Sequence, residues 1–334
     1  MRLFQSIFGR ADTIGRYPET LIEAAIERAV DGTDPRLRLV PGYRKRLRKP
    51  VVHAIDQVLA LVDGLTAPVA ADPDGFRSDV RLAALFASAE EMLQVLGRDR
   101  ALSDYLSSGE GLGARSVSTL LLARREEKNI LGMDLVGDVV RRDVAQVSVN
   151  FSGHHLLDPR CGEEENRRFL KRRAFDHLLA LALGQITEAR IEREDLTRQR
   201  DLLQRRLRTM KRGALTFEAP EAGQTDEASL QAELDDVSAK LQELGADEGV
   251  LKAHLEIVAE RLGEAERQLW ADEVRLSLGP MNIRRDPGDP SARQILLQEL
   301  HNARGARAVV LAVTIAPRDL PLREDLVTAA QRYL

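Results

Sequence analysis

Two stretches of this chain carry a heptad seam, and no other feature limits its fold as much. Counting from Ala182 in alternating steps of four and three reaches Ile186, Ala189, Arg193, Leu196, Arg200, Leu203, Leu207 and Met210, with no proline in the surrounding sixty residues. A second count runs through Leu230, Leu234, Val237, Leu241 and Leu244, passes Glu248, and resumes in register at Leu251, Leu255, Val258, Leu262, Ala265 and Leu269. Eleven of these twelve positions are apolar. A sustained repeat of this kind predicts helices that pair along a narrow apolar stripe. Three glutamates, Glu163 to Glu165, stand where a helix N-terminus favours negative charge. Pro220 and Gly223 mark a loop between the two seams. The expectation is an antiparallel hairpin of two helices, about 163 to 213 and 227 to 272, each about 70 Å long at 1.5 Å per residue.

Charge agrees with that pairing. From Arg198 to Arg212 there are seven basic residues and one acid, whereas Glu218 to Glu248 holds ten acids and one base. In an antiparallel hairpin these stretches face one another, and their attraction helps to choose the register.

The flanking sequence reads differently on each side. Leu3, Phe4, Ile7 and Phe8 form a short apolar cluster at helical spacing, followed by Gly15 and Pro18. Leu21, Ile22, Ala25, Ile26 and Val30, then Val51, Val52, Ile55, Val58, Leu59 and Val62, keep helical periodicity up to Gly32 and Gly64. The Pro, Gly and Asp content of 67 to 75 predicts a loop. Two more helices are expected over Asp79 to Leu96 and Ser116 to Lys128. At Val147, Val149 and Phe151 the period shortens to two, which predicts a strand. Val274 to Leu278, Gln294 to Leu300 and Ala308 to Ile315 predict more strands, and a closing helix is expected from Leu322 to Leu334.

The fold class that follows is mainly α with a small β subdomain, an α+β arrangement. A helical domain occupies 1–135, and a small α/β subdomain is built from 136–162 and 273–334. Its mixed or antiparallel sheet, residues about 142 to 153 and 273 to 316, is interrupted by a coiled-coil helical hairpin insertion at 163–272.

Composition narrows the function classes. The 334 residues include 49 basic and 53 acidic side chains, so a net charge of -4 gives no general attraction to polyanions. One cysteine, Cys161, permits no intramolecular disulfide. No apolar run reaches the roughly 18 residues of a membrane span, and the opening residues are too polar for a secretory signal, so the expected location is cytoplasmic.

Three groups of residues are candidate sites. The basic run Arg36, Arg38, Arg44, Lys45, Arg46, Arg48 and Lys49 places seven cations within 14 positions and is a candidate for phosphate or other anion contacts, on nucleic acid or an anionic membrane surface. His155, Asp158 and Cys161 are ligand types for a metal, although their spacing matches no familiar signature. The third group is the hairpin seam itself, Ile186, Leu196, Leu203, Leu207, Leu234, Leu241, Leu255 and Leu262. Gly109, Gly111 and Gly113 lack the preceding strand and the lysine of a phosphate-cradling loop. No nucleophile elbow, catalytic dyad or cofactor motif stands out, so no catalytic residue and no cofactor are assigned. The expected function is a non-enzymatic cytoplasmic scaffold or adaptor that uses the coiled-coil hairpin for protein–protein interaction or self-association as a homo-oligomer. The alternatives are a nucleic-acid- or membrane-surface-associated protein acting through 36–49, and a metal-dependent enzyme with a site near 154–161.

Overall fold

The computed structural model describes residues 17–136, 139–213, 227–243 and 247–321. Both the apolar cluster at 3–8 and the expected closing helix from Leu322 lie outside them. Two compact units emerge. One runs up to Asp56 and takes in Phe175–Ala265; the other holds Gln57–Ala174 and the chain from Glu266 onward.

The first unit is helical. Helix α1, Glu19–Asp31, buries Leu21, Ile22, Ala25, Ile26, Ala29 and Val30, the stripe its periodicity predicts. A 3-10 turn, Pro35–Leu39, leads into α2, Tyr43–Asp63, which continues past the unit boundary. Pro50 lies inside α2 rather than at its start, so the helix begins two turns earlier than the apolar residues alone suggest. The long helix α7, Glu163–Gly213, has the expected bounds. It is followed by α8, Glu227–Glu243, and α9, Asp247–Gly263. Gly249 is helical, while Gly245 falls outside the described residues. Within this unit α7 packs closely on the end of α1: a Cβ on Gly32 would lie 2.9 Å from Leu179 Cδ1, so a larger residue there requires the Leu179 side chain to shift. Arg28 clamps Asp176 with its Nε and Nη2 groups.

The second unit is built on a six-stranded sheet. Between α2 and the long strands lie β1, Val69–Ala70, and four short helices: α3, Pro73–Ser78; α4, Val80–Leu85; α5, Ala89–Arg98; and α6, Arg100–Leu106. The segment expected as a plain loop, 67 to 75, thus contributes β1 and the start of α3. The single helix expected over Asp79 to Leu96 is two helices. Ser88 accepts the Glu91 N–H at 3.0 Å and Glu91 accepts the Ala87 N–H at 2.7 Å, a capping arrangement that starts α5 and ends the α4 path at Phe86.

The main correction concerns Ser116 to Lys128. Instead of a helix, Val117–Val136 is a 20-residue strand, β2, paired with the 22-residue β3, Val139–Arg160. Val117, Leu121 and Ala123 belong to one buried cluster and Leu120 to another. A strand covered on both faces shows a continuous apolar run rather than alternation, and such a run has no period to distinguish it from a buried helix. Ser116 accordingly precedes a strand and caps no helix.

After α9, the short α10, Ala265–Gln268, passes directly into β4, Leu269–Leu278, so the second seam ends in the sheet at Leu269. Strands β5, Arg293–Asn302, and β6, Arg307–Ile315, complete the order β3-β2-β6-β5-β4, antiparallel at every step, with β1 pairing parallel to β6. The sheet curls on itself. Residues 283 to 285 bond to β4 on one side, Arg285 N–H to Ser277 O at 2.9 Å, and to β3 on the other, Arg284 N–H to Val147 O at 2.8 Å. Met281 and Asn282 take positive φ in the turn that makes this possible, and Asn282 is fixed by donating to Ala84 O at 2.8 Å. The inner face packs Leu121, Leu276, Leu297 and Leu311 against Leu82, Met92, Leu96 and Leu102 of the short helices. On the outer face Leu120, Val310 and Ala312 meet Val62 and Leu170.

Candidate functional site

The basic run divides between the 3-10 turn and the first two turns of α2. Arg38 donates to Glu27 and Asp31, Arg44 to Glu27, and Arg46 to Glu256 at 2.9 Å, while Arg48 pairs with Glu19. Tyr43 adds its hydroxyl to Glu27 at 2.8 Å. Arg36, itself exposed, grips the buried Asp34, with Nε and Nη2 both at 3.0 Å. The Arg48 guanidinium holds the Glu19 carboxyl, and Arg46 that of Glu256, below the ordinary carboxylate range. Lys45 and Lys49 enter no ion pair with the described residues. Five of the seven cations are therefore matched within the unit, mostly by exposed pairs worth up to about 1 kcal/mol each.

Asp34 is the centre of a network that sequence periodicity does not reveal. It caps the 3-10 turn, accepting the Arg36 N–H at 3.1 Å, and it also receives Arg190 from α7 and His254 Nδ1 from α9 at 3.0 Å. Burial opposes its charge, but Arg36 and His254 outweigh burial and hold Asp34 well below the usual carboxylate range. Burial pushes the His254 imidazole below its ordinary value, against the pull of Asp34. One carboxylate thus joins three elements of the helical unit.

Further along α7 the seam closes within the chain. Leu203, Leu207, Leu230 and Val237 form a buried cluster, with Leu196, Met210, Leu234 and Leu241 packed on it. Lys211 pairs with Glu227 at 3.4 Å, and Arg261 donates to Gln185 at 2.5 Å, which sets the antiparallel direction. Ile186, Leu255 and Leu262 of the seam are also buried. On the outer side of α7, however, Ile191 and Leu202 are 54% and 50% exposed. Eleven residues, three turns, separate them, so they share one face.

The residues considered for a metal have other engagements. His155 Nδ1 lies 3.0 Å from Gly153 O, Asp158 is gripped by Arg173 at 2.6 and 2.7 Å, and the Cys161 thiol accepts from Tyr105 Oη at 3.1 Å. Burial, with Cys161 alongside, pushes the Tyr105 phenol up to about 12. His154 stacks on Phe86 at 4.5 Å and contacts Leu85 O. Among the described residues no three His, Cys, Asp or Glu side chains are grouped as metal ligation requires.

Two polar features of the sheet have no counterpart in the sequence pattern. On the inner face, Arg125 reaches Glu299 at 3.0 Å and Glu127, while His301 stacks on Trp270 at 5.4 Å and approaches Asp272 at 3.5 Å. Beside the free edge of β3 lies a groove of about 590 Å³, lined by Val144 to Val147, Arg275, Ser277 and the turn from Arg284 to Asp289. The signal for both was cross-strand register, which a single sequence does not display. Compared with protein-family models, curated proteins and solved structures, the chain matches none.

Proposed function

We propose that this protein is a non-enzymatic cytoplasmic adaptor or scaffold whose helical hairpin engages a protein partner or a second copy. The observation that supports this reading is the division of labour on α7. Its seam residues are used up by α8 and α9 within the chain, whereas Ile191 and Leu202 remain exposed on a face that also carries Asp195 and Arg198. Large apolar side chains at helical spacing beside charged ones are what a helix-in-groove contact uses. No helix of the described residues is long and apolar enough to cross a membrane. For a phosphate-binding role of the run at 36–49, only Lys45 and Lys49 are unpaired among the described residues, and at the five arginines the anion has to displace Glu19, Glu27, Asp31, Asp34 or Glu256, which makes that reading second in order.

The test is affinity purification from the native host with wild-type bait and with an Ile191→Glu, Leu202→Glu double variant, each with and without nuclease. A defined protein partner, or the chain itself, lost with the double variant supports the adaptor reading. Recovery dominated by nuclease-sensitive material, unchanged in the double variant but lost when Arg44, Lys45, Arg46 and Arg48 become Glu, overturns it.

A further inference from the structure

We infer that the groove beside β3 is a docking site for an acidic, extended peptide segment that adds itself to the sheet as a further strand. Along an antiparallel pair, successive residues alternate between aiming their backbone groups at the partner strand and aiming them away. The Val147 carbonyl accepts from Arg284 N–H, so Val147 faces away from β2. Its pairing with Asn129, and that of Ala145 with Leu131, are in continuous register, so Ala145 faces the same way. No backbone hydrogen bond joins Ala145 to any described element other than β2. The chain that covers β3 at Val147 and Ser148 turns off at Asp286 to Asp289, where the Asp289 N–H bonds to Asp286 O at 3.0 Å. Beyond that turn the line of the missing strand is the groove itself.

The lining selects the charge of the occupant. Arg275, Arg284 and Arg285 face Asp286 and Asp289 there. Of these acids, Asp289 is tied to Ser291 through both N–H and Oγ, at 2.8 and 2.6 Å. Arg275 forms no ion pair with the described residues, and Arg284 shares one exposed contact with Glu127 at 3.1 Å. Arg141 and Arg142, both exposed, precede the same edge on β3 and outnumber the exposed Asp143 that stands between them and the groove. A peptide strand presenting carboxylates on alternate side chains satisfies the edge with its backbone and the Arg275 and Arg284 guanidinium groups with its side chains.

The experiment uses the full chain and a fluorescein-labelled synthetic peptide of alternating Glu and Val, read by fluorescence anisotropy. Its controls are a peptide with Lys in place of Glu and an N-methylated version that cannot donate backbone hydrogen bonds. The acidic peptide is expected to bind saturably, more weakly as salt rises, and each control to bind at least about tenfold more weakly. Ala145→Pro removes only an outward N–H, a place where an edge strand tolerates proline, and Arg275→Glu changes an exposed side chain; each is expected to weaken binding about tenfold. Circular dichroism checks the fold of both, and Arg275→Glu with the N-methylated peptide decides the matter if Ala145→Pro perturbs it. Absence of saturable binding, equal binding of the Glu and Lys peptides, or binding unchanged in both variants overturns the inference. The Ile191→Glu, Leu202→Glu protein should bind the peptide like wild type, which separates this site from the hairpin.

Discussion

His254, 1% exposed on α9, places its Nδ1 3.0 Å from the Oδ2 of Asp34, 220 positions earlier in the chain. Arg36 and Arg190 converge on the same carboxylate, so the imidazole has no need of a charge and two cations nearby oppose one.

This arrangement predicts acid sensitivity with a definite sign. The folded-state value of His254 lies below its ordinary one, so the unfolded chain takes up the proton first. Stability should then fall as pH drops through the unfolded value of about 6.5 and level off below the folded value. Asp34 acts in a lower window: its folded value also lies below the ordinary one, so its contribution is lost only as pH falls beneath about 3.9. Urea midpoints measured between neutral and mildly acidic pH should decline for wild type. In His254→Gln they should start lower and decline less steeply, the remaining slope coming from His154, whose burial also holds it below its ordinary value; an equal slope in both proteins would remove His254 as the cause.

Arg125 and Glu299 form the second buried charge pair with a testable energy. Glu299 is 1% exposed, so Arg125→Ala leaves its carboxylate on the inner face of the sheet with His301 Nε2, 3.8 Å away, as the remaining partner, and should cost roughly 3 kcal/mol, the lower end for a broken buried pair. Replacing both, Arg125→Met with Glu299→Leu, should recover most of that loss. Chemical denaturation of the two singles and the double measures the coupling, and additive losses would mean that the pair is not a unit.

The seam predicts an intramolecular crosslink. With Cys161 replaced by Ser, Leu203→Cys and Leu241→Cys lie in one apolar cluster and should oxidise mainly within a chain. A dominant disulfide-linked dimer on non-reducing gels would show that the helices pair between chains in solution.

Deletions should separate the two ends of the hairpin. Removing residues 196 to 241 takes away the distal cluster and should leave the rest of the helical unit folded. Removing 184 to 265 also strips Ile186, Arg190, His254 and Val258 from that unit, and it should unfold α1 and the start of α2. Loss of helical signal beyond the deleted residues, or of proteolytic resistance at 17–56, distinguishes the two outcomes.

Legibility followed the range of the interaction. The sequence by itself determined the hairpin, because a repeat of apolar residues every three and four positions is a property of neighbours along one helix; α7 begins and ends where that repeat and its flanking charges place it. The strands around Val149, Leu276 and Leu311 were legible for a similar reason, from alternation or β-branched composition. Only the tertiary structure decided that Leu120 to Ala123 is a strand, since apolar contacts on both faces erase the period. The same holds for the pairing of Arg38, Arg44, Arg46 and Arg48 with acids from other elements, which turned an apparent anion-binding run into a largely neutralised face. Asp34 with His254, Arg125 with Glu299, and the Arg275 groove beside Ala145 all join residues far apart in the chain. No local propensity encodes such meetings; they follow from which surfaces are left once each helix and strand has buried its own apolar face.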